Sequence, residues 1–231
     1  RRYGFHGISH QNVSLAAARF LDRAPEELNL ITCHLGNGCS ITAVQGGRSL
    51  DTSMGLTPLE GLVMGTRCGD LDPAIVLHLM EHNGLTLPQV RSILNKKSGL
   101  LGLSGGKLSD LRDIIDAMER GDDEARNALG VFCYRIKKYI GAYMAAMGRV
   151  DAVVFTAGIG ENSPLVREKT LAGLTRLGIT VDRDRNQARS SRAREISAPD
   201  SPVKVLVVPT REEREIAGQV MAVLEADSSN L

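Results

Sequence analysis

The side chains in this 231-residue chain best suited to hold an anion are three histidines, one arginine and the polar tips of three glycine-bearing turns. Leu35-Gly36-Asn37-Gly38 lies between two β-rich runs, with His34 on the last residue before the bend. Gly36 and Gly38 carry no Cβ, so backbone N–H groups there can approach an anion closely, and Asn37 adds an amide donor. Asn-Gly is also the commonest hairpin signal, so this stretch alone reads equally as a hairpin turn and as an anion cradle. Arg67 stands between Gly65 and Gly69, where a guanidinium can clamp phosphate or carboxylate bidentately or simply face solvent. His6 and His10 are four apart, yet Gly7 and the cap-like Ser9 place them on different elements. Zinc would want a clear third and fourth ligand, so hydrogen bonding to phosphate is the better reading. For His10 a satisfied core histidine is the alternative.

Gly158-Ile159-Gly160 follows a buried-strand pattern as a second turn. Asn162-Ser163 occupy the later positions of G-x-G-x-x-G, so a dinucleotide-binding fold is disfavoured. Glu212 and Glu213 follow a strand and Pro209. A Mg²⁺ ligand could sit there, and acids favoured by a helix dipole would look the same.

The elements that must position these groups follow from punctuation and periodicity. Ser9 reads as the N-cap of a helix to about Asp22, with Val13, Ala16, Ala17 and Phe20 on one face. A hairpin spans Leu30–Val44, and Gly46-Gly47 turns into a third strand near Arg48–Thr52. The glycine-rich stretch from Asp51 to Asp70 is a long loop of the kind that usually carries function. Asp72-Pro73 and Thr86 open two helices, and Ser109 or Asp110 caps a third. Asp122 opens a long helix to about Met147, whose stripe of Phe132, Ile136, Ile140, Tyr143 and Met147 suits either a core or a dimer seam. Asp151–Ala157 and Val203–Val208 read as buried strands. Ser163-Pro164 begins a helix to Leu177, Asp182–Glu195 is a solvated loop, and Thr210 caps a terminal helix.

Composition narrows the class. Hydrophobic residues make up 42% and charged residues 24% of the chain, which suits a globular core with an ordinary surface. A net charge of +1 argues against a nucleic-acid or membrane partner held by bulk electrostatics. No apolar run is long enough to span a bilayer, and no signal peptide opens the chain. Cys33, Cys39, Cys68 and Cys133 lack C-x-x-C spacing and fit reduced thiols in a cytoplasmic protein. The chain opens at Arg1 without an initiator Met and already inside a motif-like segment, so a fragment with its upstream part missing is expected.

Five stretches together carry a resemblance: Tyr3–His10, Thr32–Gly38, Asp51–Gly61, Gly65–Gly69 and Phe155–Asn162. In this order they resemble the C-terminal part of the acetate kinase (acetokinase) family. The resemblance implies an α/β fold of the actin/Hsp70/sugar-kinase (ribonuclease H-like) type, a mixed sheet with flanking helices. Residues 1–213 would be the C-terminal nucleotide-binding domain. Residues 214–231 would be a helix that packs on an N-terminal domain absent here.

It further implies a reversible phosphoryl transfer from ATP to acetate, giving acetyl phosphate and ADP by direct in-line displacement. The alternatives are a propionate or other short-chain acyl kinase and, for the isolated fragment, an inactive nucleotide-binding module. By resemblance, His6 and Arg67 steady the transferring phosphoryl group and His34 serves the phosphate end. Gly36, Asn37 and Gly38 hold ATP phosphates, and Phe5 and Pro58 form part of the acyl pocket. Asp110, Leu111, Arg112, Gly158, Ile159, Gly160 and Asn162 fall in the adenosine region. Glu212 would serve Mg²⁺, with Mn²⁺ an acceptable substitute, and a homodimer is expected. Arg211 stands where the family usually has asparagine, and the Ser104–Asp110 connection is one residue longer than usual.

Overall fold

Alternating burial along the central strands splits the molecule into two unequal cores. The computed structural model describes residues 2–210 together with 217, 220 and 221. Strands β1 (Asn29–Leu35), β2 (Cys39–Gln45) and β3 (Arg48–Thr52) form an antiparallel meander. Beyond them lie β4 (Ala152–Thr156), β5 (Arg194–Glu195) and β6 (Lys204–Val207). β4 runs parallel to β1 and β6 parallel to β4, while β5 closes the sheet antiparallel, giving the order β3-β2-β1-β4-β6-β5. This mixed sheet with helices on both faces is the α/β arrangement expected.

Ile31, Cys33, Leu35, Val153, Phe155, Val205 and Val207 all point into the larger core. Their neighbours Leu30, Ala152, Val154 and Leu206 point to the opposite, smaller core. Period-two alternation with both faces buried is what a central parallel strand requires. Helix α1 (Gly7–Phe20) covers the smaller core with Val13, Ala17 and Ala18. His34 shares the face of Leu30 and Thr32, so strand geometry alone aims its ring at the start of α1.

Helices α2 (Ala74–Glu81), α3 (Leu87–Lys96) and α4 (Gly99–Leu103) precede α5 (Leu111–Glu119) and α6 (Asp123–Met147). Asp122 caps α6 by accepting from the Ala125 N–H at 3.0 Å. The stripe of Phe132, Ile136, Ile140, Tyr143 and Met147 is buried in the larger core, which excludes a dimer seam for that face. Each such side chain contributes about 1.5–3 kcal/mol of burial. The remaining helices are α7 (Ala157–Asn162), α8 (Pro164–Leu171) and α9 (Arg183–Gln187).

Several expectations change. Ser9 is not the cap of α1; His6 holds the N-cap position in a left-handed conformation (φ 59°), and the Ser9 hydroxyl is committed to His34 instead. The helix ends at Phe20 because Asp22 turns left-handed (φ 52°), and Phe20 itself is exposed. The helix from Pro164 stops at Leu171, where Ala172 turns extended and Gly173 takes φ 78°. A short turn at Thr175–Leu177 follows. The stretch 182–195 is not a solvated loop: Asp182 caps α9 and Arg194–Glu195 pairs with β6. Gly158-Ile159-Gly160 is not a turn but the body of α7, which begins at the strand end with Ala157 at φ 64°. The helix expected after Thr210 and the role of Glu212 lie outside the described residues. No described helix is long and apolar enough to cross a membrane.

Candidate functional site

The carboxyl ends of β1 and β4 lie side by side, because His34 registers against Thr156 in the parallel pair. Ligands in such sheets collect where strands end and helices begin. The Gly36–Gly38 turn closes on itself, the Gly36 N–H donating to the Gly38 carbonyl at 3.1 Å. The Gly65 N–H then donates to the Asn37 carbonyl at 3.2 Å, joining this turn to the loop that carries Arg67. A Cβ on Gly65 would collide with the Asn37 amide, so the close approach needs glycine there. Gly99 takes φ 63°, and a Cβ on it would strike the carbonyls of Met64 and Arg67.

Arg67 is half-buried, and its Nη1 donates to the Pro58 carbonyl at 2.9 Å. The space beside the Gly38 Cα faces Arg67 Nη1 at 3.6 Å, Arg67 Nη2 at 3.7 Å and His6 Cε1 at 3.7 Å. The guanidinium and the imidazole thus converge on the second glycine of the turn. His6 stacks on His34 with ring centroids 4.0 Å apart and planes 16° from parallel.

Behind these two rings lies a chain of hydroxyls and imidazoles. His6 Nδ1 and Ser40 Oγ share a hydrogen bond of 2.9 Å, and Ser40 Oγ meets His10 Nε2 at 2.7 Å. His10 Nδ1 meets Thr32 Oγ1 at 2.7 Å, and Ser9 Oγ meets His34 Nδ1 at 2.8 Å. The β1–β2 register sets this up by placing Ser40 opposite His34. His10 is buried with both ring nitrogens engaged, so it braces the other two rings.

Burial pushes the His34 imidazole down to about 4, with His6 adding a smaller effect. Burial, then the nearby His34 and His6 rings, brings His10 down to about 3. Both rings are therefore neutral at pH 7 and act as hydrogen-bonding groups.

From Gly36 and Asn37 a cleft of about 760 Å³ runs away from this corner. Asp110, Leu111 and Arg112 form one wall, with Ile115 a turn further along α5. Gly158, Ile159 and Asn162 of α7 form another, and Ser163 continues it. Asp110 caps α5, accepting from the Arg112 N–H at 2.8 Å, and also pairs with the Arg112 side chain at 2.7 Å. That hydrogen-bonded pair holds the Asp110 carboxyl below its ordinary range.

Eight residues expected to hold nucleotide line one space, five of them on α5 and α7 far apart in sequence. Other expected residues do not line it, Gly38 and His34 among them. Gly160 packs against Phe155, 3.4 Å from where its Cβ would be, and its carbonyl accepts from Arg167; it does not line the cleft. Phe5 lines a separate cavity of about 440 Å³ with Tyr3, His10 and Thr42, and Pro58 is not among its walls.

Sequence reasoning missed Ser109, Leu100, Ser163 and Arg189 as cleft residues. It also missed Arg167, the largest fully buried side chain among the described residues. Arg167 stands in a stretch whose charge pattern reads as surface, and no sequence signal separates it from its neighbours. Among the described residues no three His, Cys, Asp or Glu side chains are grouped to hold a metal ion. The described residue nearest Glu212 is Thr210, whose N–H donates to Glu161 Oε1 at 2.9 Å.

The model of the acetokinase family matches residues 1–218. An acetate kinase of Clavibacter sepedonicus is 61% identical over 222 residues, covering 96% of this chain and 56% of its own length. The crystal structure of Porphyromonas gingivalis acetate kinase superposes with a TM-score of 0.93 at 49% identity, covering 97% of this chain and 56% of that one. A propionate kinase from Francisella tularensis gives 0.87 at 43% identity, over 94% of this chain and 54% of that one. The chain thus spans about half the length of the relatives it matches, and with the family model covering nearly all of it, the chain belongs to the acetokinase family.

Proposed function

We propose that the full-length protein is an acetate kinase, catalysing reversible phosphoryl transfer between ATP and acetate. The observation that carries this reading is the convergence of Arg67, His6 and the Gly36–Gly38 turn at the inner end of a nucleotide-sized cleft. An acetate carboxylate is already ionised at neutral pH, so the acceptor needs no general base. The protein's task is placement and charge stabilisation along the line of transfer. Arg67 supplies a fixed positive charge whose Nη1 is already oriented by Pro58, and His6 faces the same point. His34, neutral at pH 7, presents a proton on Nε2 when Ser9 donates to Nδ1. Donors held this way are oriented before charge develops, which is where such groups have their largest effect. The Gly36–Gly38 turn and Asn37 hold the ATP phosphates. The nucleoside lies along Asp110–Arg112 and Gly158–Asn162.

Glu212 would hold Mg²⁺, or Mn²⁺ in its place, and the ion when bound neutralises charge on the phosphate oxygens. Pro58 reaches the acceptor side through its carbonyl on Arg67, and Phe5 would add an apolar surface there from the neighbouring cavity. Helix α2 has no buried residue, and Ile75 and Leu77 are 45% and 59% exposed. Apolar side chains exposed around α2 support a homodimer. The absence of any described membrane-crossing helix and the four free cysteines fit a cytoplasmic enzyme.

The propionate kinase structure gives a specific reason to hold a second reading, a short-chain acyl kinase of longer preference. Measuring kcat/KM of the full-length protein for acetate, propionate and butyrate separates them, with acetate expected to lead. A higher value for propionate moves the assignment to the second reading. No acyl phosphate from any of the three rejects both, leaving a nucleotide-binding module.

A further inference from the structure

Among the described residues two guanidinium groups line the cleft, and one of them is neutralised there. Arg112 lies across its own cap residue, Nε and Nη2 donating to the Asp110 carboxylate at 3.0 and 2.7 Å. Arg189 lines the same cleft yet makes no hydrogen bond or ion pair with any described residue. It is the uncompensated cation of this space among the described residues.

The position of Arg189 along the cleft follows from the buried arginine behind it. Arg167 donates from Nη1 to the carbonyls of Gly160 at 2.8 Å and Glu161 at 3.0 Å, in the second half of α7. Its Nε and Nη2 donate to the Asn186 side-chain and main-chain oxygens, each at 2.8 Å. The Asn186 amide in turn donates to the Pro164 carbonyl at 3.0 Å. Asn186 belongs to α9, three residues before Arg189, so the segment carrying Arg189 is pinned to the end of α7 and the start of α8. The start of α7 is at the other end, since Ala157 Cβ lies 4.0 Å from where a Cβ on Gly36 would be. Five helical steps of about 1.5 Å separate Ala157 from Asn162, roughly 7.5 Å, the span from the phosphates towards the base of an extended nucleotide.

We propose that Arg189 is a nucleoside-contacting residue, its guanidinium packing on the purine face at the outer end of the cleft. The apolar walls at Leu111, Ile115 and Ile159 would take the base, and a guanidinium over an aromatic face adds attraction without a charged partner. Arg167 is the positioning residue that holds both the floor and this rim. The inference rests on the cleft being the nucleotide site.

The test uses the full-length protein with Arg189→Ala, Arg189→Lys and the cleft-blocking Ile159→Arg, and the exposed Arg192→Ala as a control for bulk charge. Arg189→Ala should raise KM for ATP about 3- to 10-fold, with KM for acetate unchanged and kcat moving less than twofold. The inhibition constant of adenosine and the Kd of ADP should weaken by the same factor, Arg189→Lys should recover part of the loss, and Arg192→Ala should leave all of them unmoved. An unchanged KM for ATP in Arg189→Ala overturns the assignment. So does a weaker Kd for ADP with unaltered adenosine inhibition, which would put the contact at the phosphates. An equal effect from Arg192→Ala overturns it too, by reducing it to bulk charge. Ile159→Arg separates the two levels of inference. If it leaves ADP binding intact, the cleft is not the nucleotide site; if it abolishes binding while Arg189→Ala is neutral, only the Arg189 contact falls.

Discussion

Around Gly38, side chain answers side chain: His6, His10, His34, Ser9, Ser40 and Thr32 are linked at 2.7–2.9 Å across α1, β1 and β2. Along the cleft from Gly36 to Asn162, the walls are helix backbone, and what fixes them is one guanidinium behind α7. The first region holds the rings that would touch the transferring group and restrains each by its neighbours. The second leaves its contact residues at the mouth exposed and fixes only the surface beneath them. Precision of an ångström matters where a bond is made and broken, and far less where a base is gripped.

Arg67→Ala should strike hardest at that contrast. Losing a preoriented donor to the transition state should lower kcat of the full-length enzyme by on the order of 10²-fold or more, with a small change in KM for ATP. A near-normal kcat would erase the distinction between the two ends.

Arg167→Met should act on stability before it acts on rate. It leaves the carbonyls of Gly160, Glu161 and Asn186 without their donor in a buried setting, a loss of about 3 kcal/mol in urea denaturation. A loss below about 1 kcal/mol would mean that α7 is held by its own packing.

The phosphate end should respond to pH where the nucleoside end does not. The unfolded chain protonates His10 and His34 near their ordinary value of about 6.5, while the folded protein resists until about 3 and about 4. Between those limits the unfolded state binds more protons, so stability falls as pH drops below about 6.5. The slope approaches 1.4 kcal/mol per pH unit for each ring. Replacing His10 by Asn should remove one ring's share of that slope, read from denaturation curves at pH 6 and 5. An unchanged slope would show that His10 is not held neutral.

Smallest of all, Asp110→Ala should cost about 1 kcal/mol through the lost α5 cap and raise KM for ATP by less than Arg189→Ala does. An effect larger than that of Arg167→Met would reverse the order of the two regions.

How much of this was legible depended on whether the signal was local. Asp122 before a 3.6-residue stripe gave the start of α6 to the residue, and the β-rich runs around Asn37-Gly38 gave the meander, because caps and alternation are written in neighbours. Ser9 misled for the same reason. A serine before a helical face looks like a cap, but its hydroxyl was claimed by His34, a residue 25 positions away. The stretch 182–195 looked solvated because its arginines are mostly outside; one asparagine inside, Asn186, gives it structure through Arg167. Asp182 preceding Arg185 was a readable cap signal there. The grouping of Asp110 with Gly158 was supplied by family resemblance, since no spacing rule joins residues 48 positions apart on different helices.

Gly99 carries a consequence for inheritance. It touches no proposed substrate and stands 32 positions from Arg67, yet the Met64 and Arg67 carbonyls leave no room for the carbon that any other amino acid would add. In a pool of randomly mutagenised genes scored for loss of function, missense alleles at this codon should be as frequent among the inactive clones as alleles at the arginine codon itself.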